Sequence, residues 1–296
     1  MICEHKGRSG SSATAVAPAA PRRRPAAERS RRWWRLVKQV IKEPFYRLYL
    51  HRLREQAQTW VRPHHIGLIM DGNRRFARRA GSSPIAGHHR GAEKLQEVLD
   101  WCQRLDVRVA TVWCFSLDNF QRSAAEVEGL FRLFEDRTRA MVHDEMLHRR
   151  RIRVRFIGEI ERLPESLRAE IRKAERATET YRDFQLNIAM AYGGREEITE
   201  AFRGFIADRA RRGEALDAIL EAMDASAIEP YLYTSGQPEP DLILRTSGEV
   251  RLSGFLLWQS AYSEFYFADA CWPALREIDF LRALRAYHLR QRRFGR

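Results

Sequence analysis

The chain predicts an α/β fold: a mostly parallel central sheet covered by helices, preceded by a basic N-terminal extension. Three observations predict it. Beyond Pro63, short β-rich apolar runs alternate with longer stretches of helical periodicity, the pattern of right-handed βαβ crossovers. The 296 residues are 44% hydrophobic and 31% charged, a globular balance with enough apolar material for a core. Polar and glycine-containing clusters follow the apolar runs, where loops leave the carboxyl ends of strands.

The elements follow in order. Residues 1–30, rich in Ala, Pro, Ser and Arg without apolar periodicity, predict a disordered basic tail. Residues 31–62 predict an amphipathic helical lead-in. Trp33, Val37 and Ile41, then Phe45, Leu48 and Tyr49, recur at helical spacing, and Pro44 divides them into two short helices. Arginines and paired indoles mix in Arg31–Lys38, which suits the surface of an anionic bilayer, so a peripheral membrane contact through residues 31–41 stands beside plain docking on the domain. Residues 63–296 read as one domain. Its strands are expected at His65–Met70, Arg108–Phe115, Ile152–Ile157, Phe184–Ala191, Leu242–Leu244 and Glu264–Phe267, with a short apolar piece near Phe255. Helices are expected at Gly87–Arg104, Ala124–His148, Glu165–Thr180, Arg195–Arg212 and Asp279–Arg292.

Charge and cysteines exclude several classes. The net charge is +13, yet residues 1–63 hold 15 basic and 4 acidic residues, leaving 37 against 35 for the remainder. The folded part is nearly neutral, so the excess argues poorly for a nucleic-acid partner. No apolar run reaches the length of a membrane span, because Gln259 and Glu264 interrupt the most apolar segment. Cys3, Cys102, Cys114 and Cys271 show neither zinc spacing nor a disulfide framework, and with no secretory signal they place the protein in the cytoplasm.

In open α/β sheets, ligands bind beyond the carboxyl ends of the strands. One rim is therefore expected to gather Asp71, Arg75, Asn119, Arg122, Arg195, Arg245 and Arg251, each in a loop after an apolar run. Repeated arginines at strand exits make an anion pocket of diphosphate size. The Gly72–Asn73 turn leading into a helix offers free N–H groups to phosphate oxygens. A carboxylate beside an anion site fits a bridging Mg²⁺, with Asp71 as its anchor. No P-loop motif is present, nor an Asp-Asp pair of a diphosphate clamp.

At these residues the sequence resembles the cis-prenyltransferase family of the undecaprenyl diphosphate synthase type. Five blocks agree in order: His65 to Arg75, Gly87-His88 to Gly91, Phe115 to Arg122, Ala191-Tyr192-Gly193-Gly194-Arg195, and Asp241 to Glu264. The segments Glu43–Tyr49 and Leu232–Pro238 are similar to the actinobacterial short-chain branch that includes (2Z,6E)-farnesyl diphosphate synthases. The resemblance implies condensation of isopentenyl diphosphate with an allylic diphosphate to make a new cis double bond, by a homodimer. It implies that Asp71 holds Mg²⁺ and that Gly72, Asn73, Arg74, Arg75, Phe76 and His88 seat the allylic substrate. Around the reacting carbons it implies Asn119 as the group tied to proton acceptance, flanked by Ser116, Leu117, Asp118, Phe120 and Arg122. Arg245, Arg251, Leu252 and Ser253 match the isopentenyl diphosphate site, Glu264 a second metal ligand from a partner subunit, and Arg293 a tail that reaches across the dimer.

Departures from the family pattern carry their own expectations. Arg74 stands for a small glycine, Phe76 and Phe120 for tryptophans, and Pro84 lies where an arginine is usual, which removes one diphosphate contact. Cys114 stands where long-chain members have alanine, and a bulkier side chain in the channel predicts a short to medium product. The rival readings are a longer-chain synthase, a non-catalytic subunit of the same fold, a same-fold enzyme joining prenyl units by another route, and a nucleic-acid binder.

Overall fold

The computed structural model describes residues 44–290. The expected tail, the helix carrying Trp33 with its membrane contact, and Arg293 lie outside the described residues. Residues 44–57 are helical and are called α1.

From Leu50 onward the molecule is a compact unit built on six strands: β1 (His65–Ile69), β2 (Val109–Ser116), β3 (Ile152–Ile157), β4 (Phe184–Tyr192), β5 (Leu242–Arg245) and β6 (Glu264–Phe267). Every pairing is parallel and the order is β3-β4-β2-β1-β5-β6. The sheet is therefore wholly rather than mostly parallel. Strands β1 and β5 are buried along their whole length, and β4 at every residue but Gln185, because both faces of the sheet are covered.

One face carries Ile66, Leu68, Ala110, Val112, Val154 and Leu244 against α3 (Pro84–Arg104), α6 (Glu165–Thr178) and α10 (Glu277–Leu289). The other carries Ile69, Ala189, Tyr192 and Ile243 under Phe255 and Leu256. A satellite core joins α7 (Gly194–Arg211) to α8 (Leu216–Glu221) and α9 (Ala225–Ile228) through Phe205, Ile219 and Ile228.

Strand exits place the loops. After β1 the chain turns towards β2, whereas after β5 it turns the other way to β6, so a crevice opens outside the carboxyl ends of β1 and β5. Helix α2 (Asn73–Arg79) begins there, entered through Gly72 at φ +100°. A Cβ at Gly72 would lie 2.9 Å from the Cys271 backbone, so both conformation and space require glycine.

Two elements differ from expectation. The long helix Ala124–His148 is broken into α4 (Ala124–Met141) and α5 (Glu145–Arg149), because Asp144 accepts hydrogen bonds from the Met146 and Leu147 N–H groups and caps a new start. The register of β2 against β4 slips at Cys114, a bulge at the strand end. Trp113 packs on one face of the sheet while Cys114 packs on the other.

Candidate active site

Asp71 is held by its backbone. The Thr246 hydroxyl and the Trp272 N–H both donate to its carbonyl at 2.8 Å, and the Asn73 amide donates to the Met70 carbonyl. Its carboxylate meets Arg245, the last residue of β5, across the crevice. Arg245 Nε and Nη2 both donate to Asp71 Oδ2, the first at 3.0 Å, and Oδ1 has no partner among the described residues. The Arg245 side chain is 4% exposed and that of Asp71 39%. A third arm of Arg245 donates to the Arg251 carbonyl and to Ser253 Oγ, the latter at 2.9 Å, tying β5 to the loop that follows it.

The other arginines are also paired. Arg75 donates to the Ser247 carbonyl at 2.8 Å and to Glu249 at 2.9 Å, and Arg251 reaches the same carboxylate at 2.6 Å. Hydrogen bonding from Arg75, then the charge of Arg251, lowers the Glu249 pKa. Arg122 and Arg74 share Glu126, at 3.1 and 3.5 Å. His88 lies beside them. Burial, then the Arg122 charge, pushes its pKa down to about 4, so the imidazole is neutral, and its Nε2 is buried without a partner. Asn119 Oδ1 accepts the Ser116 N–H at 3.1 Å, which fixes the amide at the end of β2.

These groups line the mouth of a cavity of about 580 Å³. Its inner wall is largely apolar. Along α4, Leu133, Phe134, Thr138 and Met141 face it at helical spacing, with Arg137 the one charged side chain among them. Leu95 of α3 and Cys114, Phe156, Ile188 and Met190 of the sheet complete the wall. Desolvation pushes the Cys114 thiol up to about 12, so it is an inert, neutral wall group.

Of the rim expected from sequence, Asp71, Arg75, Asn119, Arg122, Arg245 and Arg251 converge here, joined by Gly72, Asn73, Arg74, His88, Ser116, Asp118 and Ser253. Arg195 does not: it is exposed on the first turn of α7 and is absent from the lining. Phe76, Leu117, Phe120 and Leu252 also lie behind rather than on the wall; Phe120, for example, packs edge-on against Phe115. Glu264 is on the sheet edge, bound by Arg290, and is not brought to Asp71. Among the described residues no three acidic, His or Cys side chains cluster as metal ligands. Glu126, Glu249 and Trp272 were not expected at the site from the sequence; Glu126 left a signal, four residues after Arg122 and thus on the same helical face.

The family model described as "Putative undecaprenyl diphosphate synthase" matches residues 69–295. The chain belongs to this prenyltransferase family. An isoprenyl transferase of Thermus thermophilus is 51% identical over 87% of this chain and 98% of its own length. A tritrans,polycis-undecaprenyl-diphosphate synthase (geranylgeranyl-diphosphate specific) of Methanopyrus kandleri is 48% identical over 90% of this chain and 97% of its own. Among solved structures, lavandulyl diphosphate synthase from Lavandula x intermedia, in complex with dimethylallyl diphosphate, superposes with a TM-score of 0.74 at 36% identity, over 79% of this chain and 98% of that one. This prenyltransferase is thus an enzyme of isoprenoid chemistry, and none of its described helices is long and apolar enough to cross a membrane.

Proposed function

We propose that the chain condenses isopentenyl diphosphate with an allylic diphosphate, geranyl or farnesyl, in a Mg²⁺-dependent reaction that yields a short to medium Z-isoprenyl diphosphate. The observation that carries this reading is the convergence of Asp71 with Arg74, Arg75, Arg122, Arg245 and Arg251 at the mouth of an apolar cavity. Two arginine groups suit two diphosphates: Arg75, Arg122 and His88 for the allylic one, Arg245, Arg251 and Ser253 for the isopentenyl one.

On this reading the allylic C–O bond breaks, its electron pair leaves with the diphosphate, and the isopentenyl double bond attacks C1 to form the new C–C bond. The leaving group's growing negative charge is met by guanidinium groups already in place. A proton then leaves the isopentenyl C2, and Asn119 orients the water or phosphate oxygen that takes it. The donor set fits Mg²⁺ held by Asp71 and substrate phosphates, since Asp71 Oδ1 has no partner among the described residues and the Asp71 side chain is 39% exposed. When bound, Mg²⁺ neutralises charge on the allylic diphosphate. Glu264 would reach the site from a partner subunit in a homodimer. The unpaired Cys102, Cys114 and Cys271 support a cytoplasmic location.

A longer-chain product is the second reading, favoured by the name of the Methanopyrus relative. Incubation with labelled isopentenyl diphosphate, Mg²⁺ and geranyl, farnesyl or geranylgeranyl diphosphate, with chromatography of the dephosphorylated products, tests both. Products of C15 to C35 support the first reading. C50 or longer from geranylgeranyl diphosphate supports the second, and no condensation refutes both.

A further inference from the structure

Resting on that reading, we infer that Trp113 sets the size of the acceptor: its indole closes the pocket for the isopentenyl hydrocarbon and so selects a five-carbon unit. In the sheet register Trp113 of β2, Ile69 of β1 and Arg245 of β5 occupy one rung of three adjacent strands. Neighbouring strands lie about 4.8 Å apart, so the Trp113 backbone stands roughly 10 Å from that of Arg245. Side chains on one rung of parallel strands share a face, and all three of these residues line the cavity. Cys114, next along the strand, points to the opposite face, where α3 and α4 wall the space for the allylic tail. The end of β2 therefore divides the lining between the two faces of the sheet, and Trp113 belongs to the face that carries Ile69 and Arg245.

A diphosphate on Arg245, Arg251 and Ser253 leaves its alkenyl group lying over Ile69. Four carbons in line, at about 1.5 Å per bond, cover roughly half the span before the indole stops them. The indole is held firmly. It stacks on Phe255 at 5.3 Å and 13°, with the Tyr192 edge 6.2 Å away. Its Nε1 is buried without a hydrogen-bond partner.

The test compares kcat/KM for isopentenyl diphosphate and its one-carbon-larger homologue 3-ethylbut-3-enyl diphosphate, at saturating allylic starter, in wild type and in Trp113→Phe, Trp113→Leu and Trp113→Ala. One extra methylene against an apolar wall is discriminated about 10- to 200-fold. Wild type is expected to prefer isopentenyl diphosphate at least tenfold. Trp113→Leu and Trp113→Ala bring the preference near unity, Trp113→Phe keeps most of it, and the KM of the allylic starter moves less than about twofold. An unchanged preference in a folded Leu variant overturns the inference, as does an equal rise in both substrates' KM. If Trp113→Ala does not fold, the Phe and Leu variants decide. A wild type that joins isopentenyl diphosphate to no allylic diphosphate overturns the proposed function and this inference with it. Normal condensation with unaltered selectivity overturns the inference alone.

Discussion

Arg245 makes four bonds from one side chain, two to Asp71, one to a carbonyl and one to Ser253, and no lysine can reproduce that fork. Arg245→Lys is expected to lower kcat/KM about 100-fold, read by steady-state condensation assays at varied isopentenyl diphosphate. A second single-residue effect is remote from catalysis. His65 is 1% exposed; Thr111 Oγ1 and the Pro238 carbonyl lie 2.8 and 2.7 Å from its two ring nitrogens. Burial pushes its pKa down to about 4, below the ordinary 6.5 of the unfolded chain. The unfolded state therefore binds the proton first, and stability present above pH 6.5 is lost as pH falls towards 4, by on the order of 3 kcal/mol. Urea melts at pH 7 and pH 4.5 should show a loss in wild type that His65→Gln reduces, the remainder including that of His88, whose pKa is also about 4. The amino-acid order brought Asp71 and Arg245 to one rim as residues at strand exits, but not into a direct ion pair, and it gave no sign of the His65 contacts, because residues 174 and 173 apart meet only through the fold.

At the level of elements, the turn from β1 into α2 and the loop after β5 carry the site. Gly72→Ala must place a Cβ against Cys271 at φ +100°, and is expected to cost more than 1 kcal/mol of stability and most of the activity, measured by thermal melts and turnover. The loop after β5 is anchored from beneath by Glu197, 1% exposed, which accepts bonds from the Tyr192 hydroxyl, the Gln259 amide and the Tyr233 N–H. No cation pairs with it among these contacts, and desolvation raises its pKa. Glu197→Ala strands three donors and should destabilise by about 3 kcal/mol in urea titration. The strands were legible to within a residue or two because apolar runs bounded by polar turns survive any tertiary context. The break between α4 and α5 and the bulge at Cys114 were not, since a single capping aspartate and a one-residue slip leave the apolar pattern almost unchanged.

For the whole molecule, the cavity and the assembly make the predictions. Cys114 faces the apolar arm, so Cys114→Ala is expected to lengthen the product by one or more isoprene units in chromatography of the dephosphorylated alcohols, and unchanged length would place the stop elsewhere. If Glu264 serves a partner's site, mixing inactive Asp71→Ala and Glu264→Ala subunits should restore about a quarter of wild-type activity, because half the dimers are mixed and each has one intact site. Service within one chain would restore none. The rim of the site was readable as arginines at strand exits, Arg195 excepted, because helix α7 carries that residue away from the crevice. The internal carboxylates that hold those arginines have a wider consequence. Glu126, Glu249 and Asp71 pair with five guanidinium groups, so three negative charges hold five positive ones in place and leave the entrance with an excess of two. An anion docking there meets guanidinium groups already fixed in position, so little side-chain freedom is lost on binding, and a guest with several negative oxygens gains more than a small one.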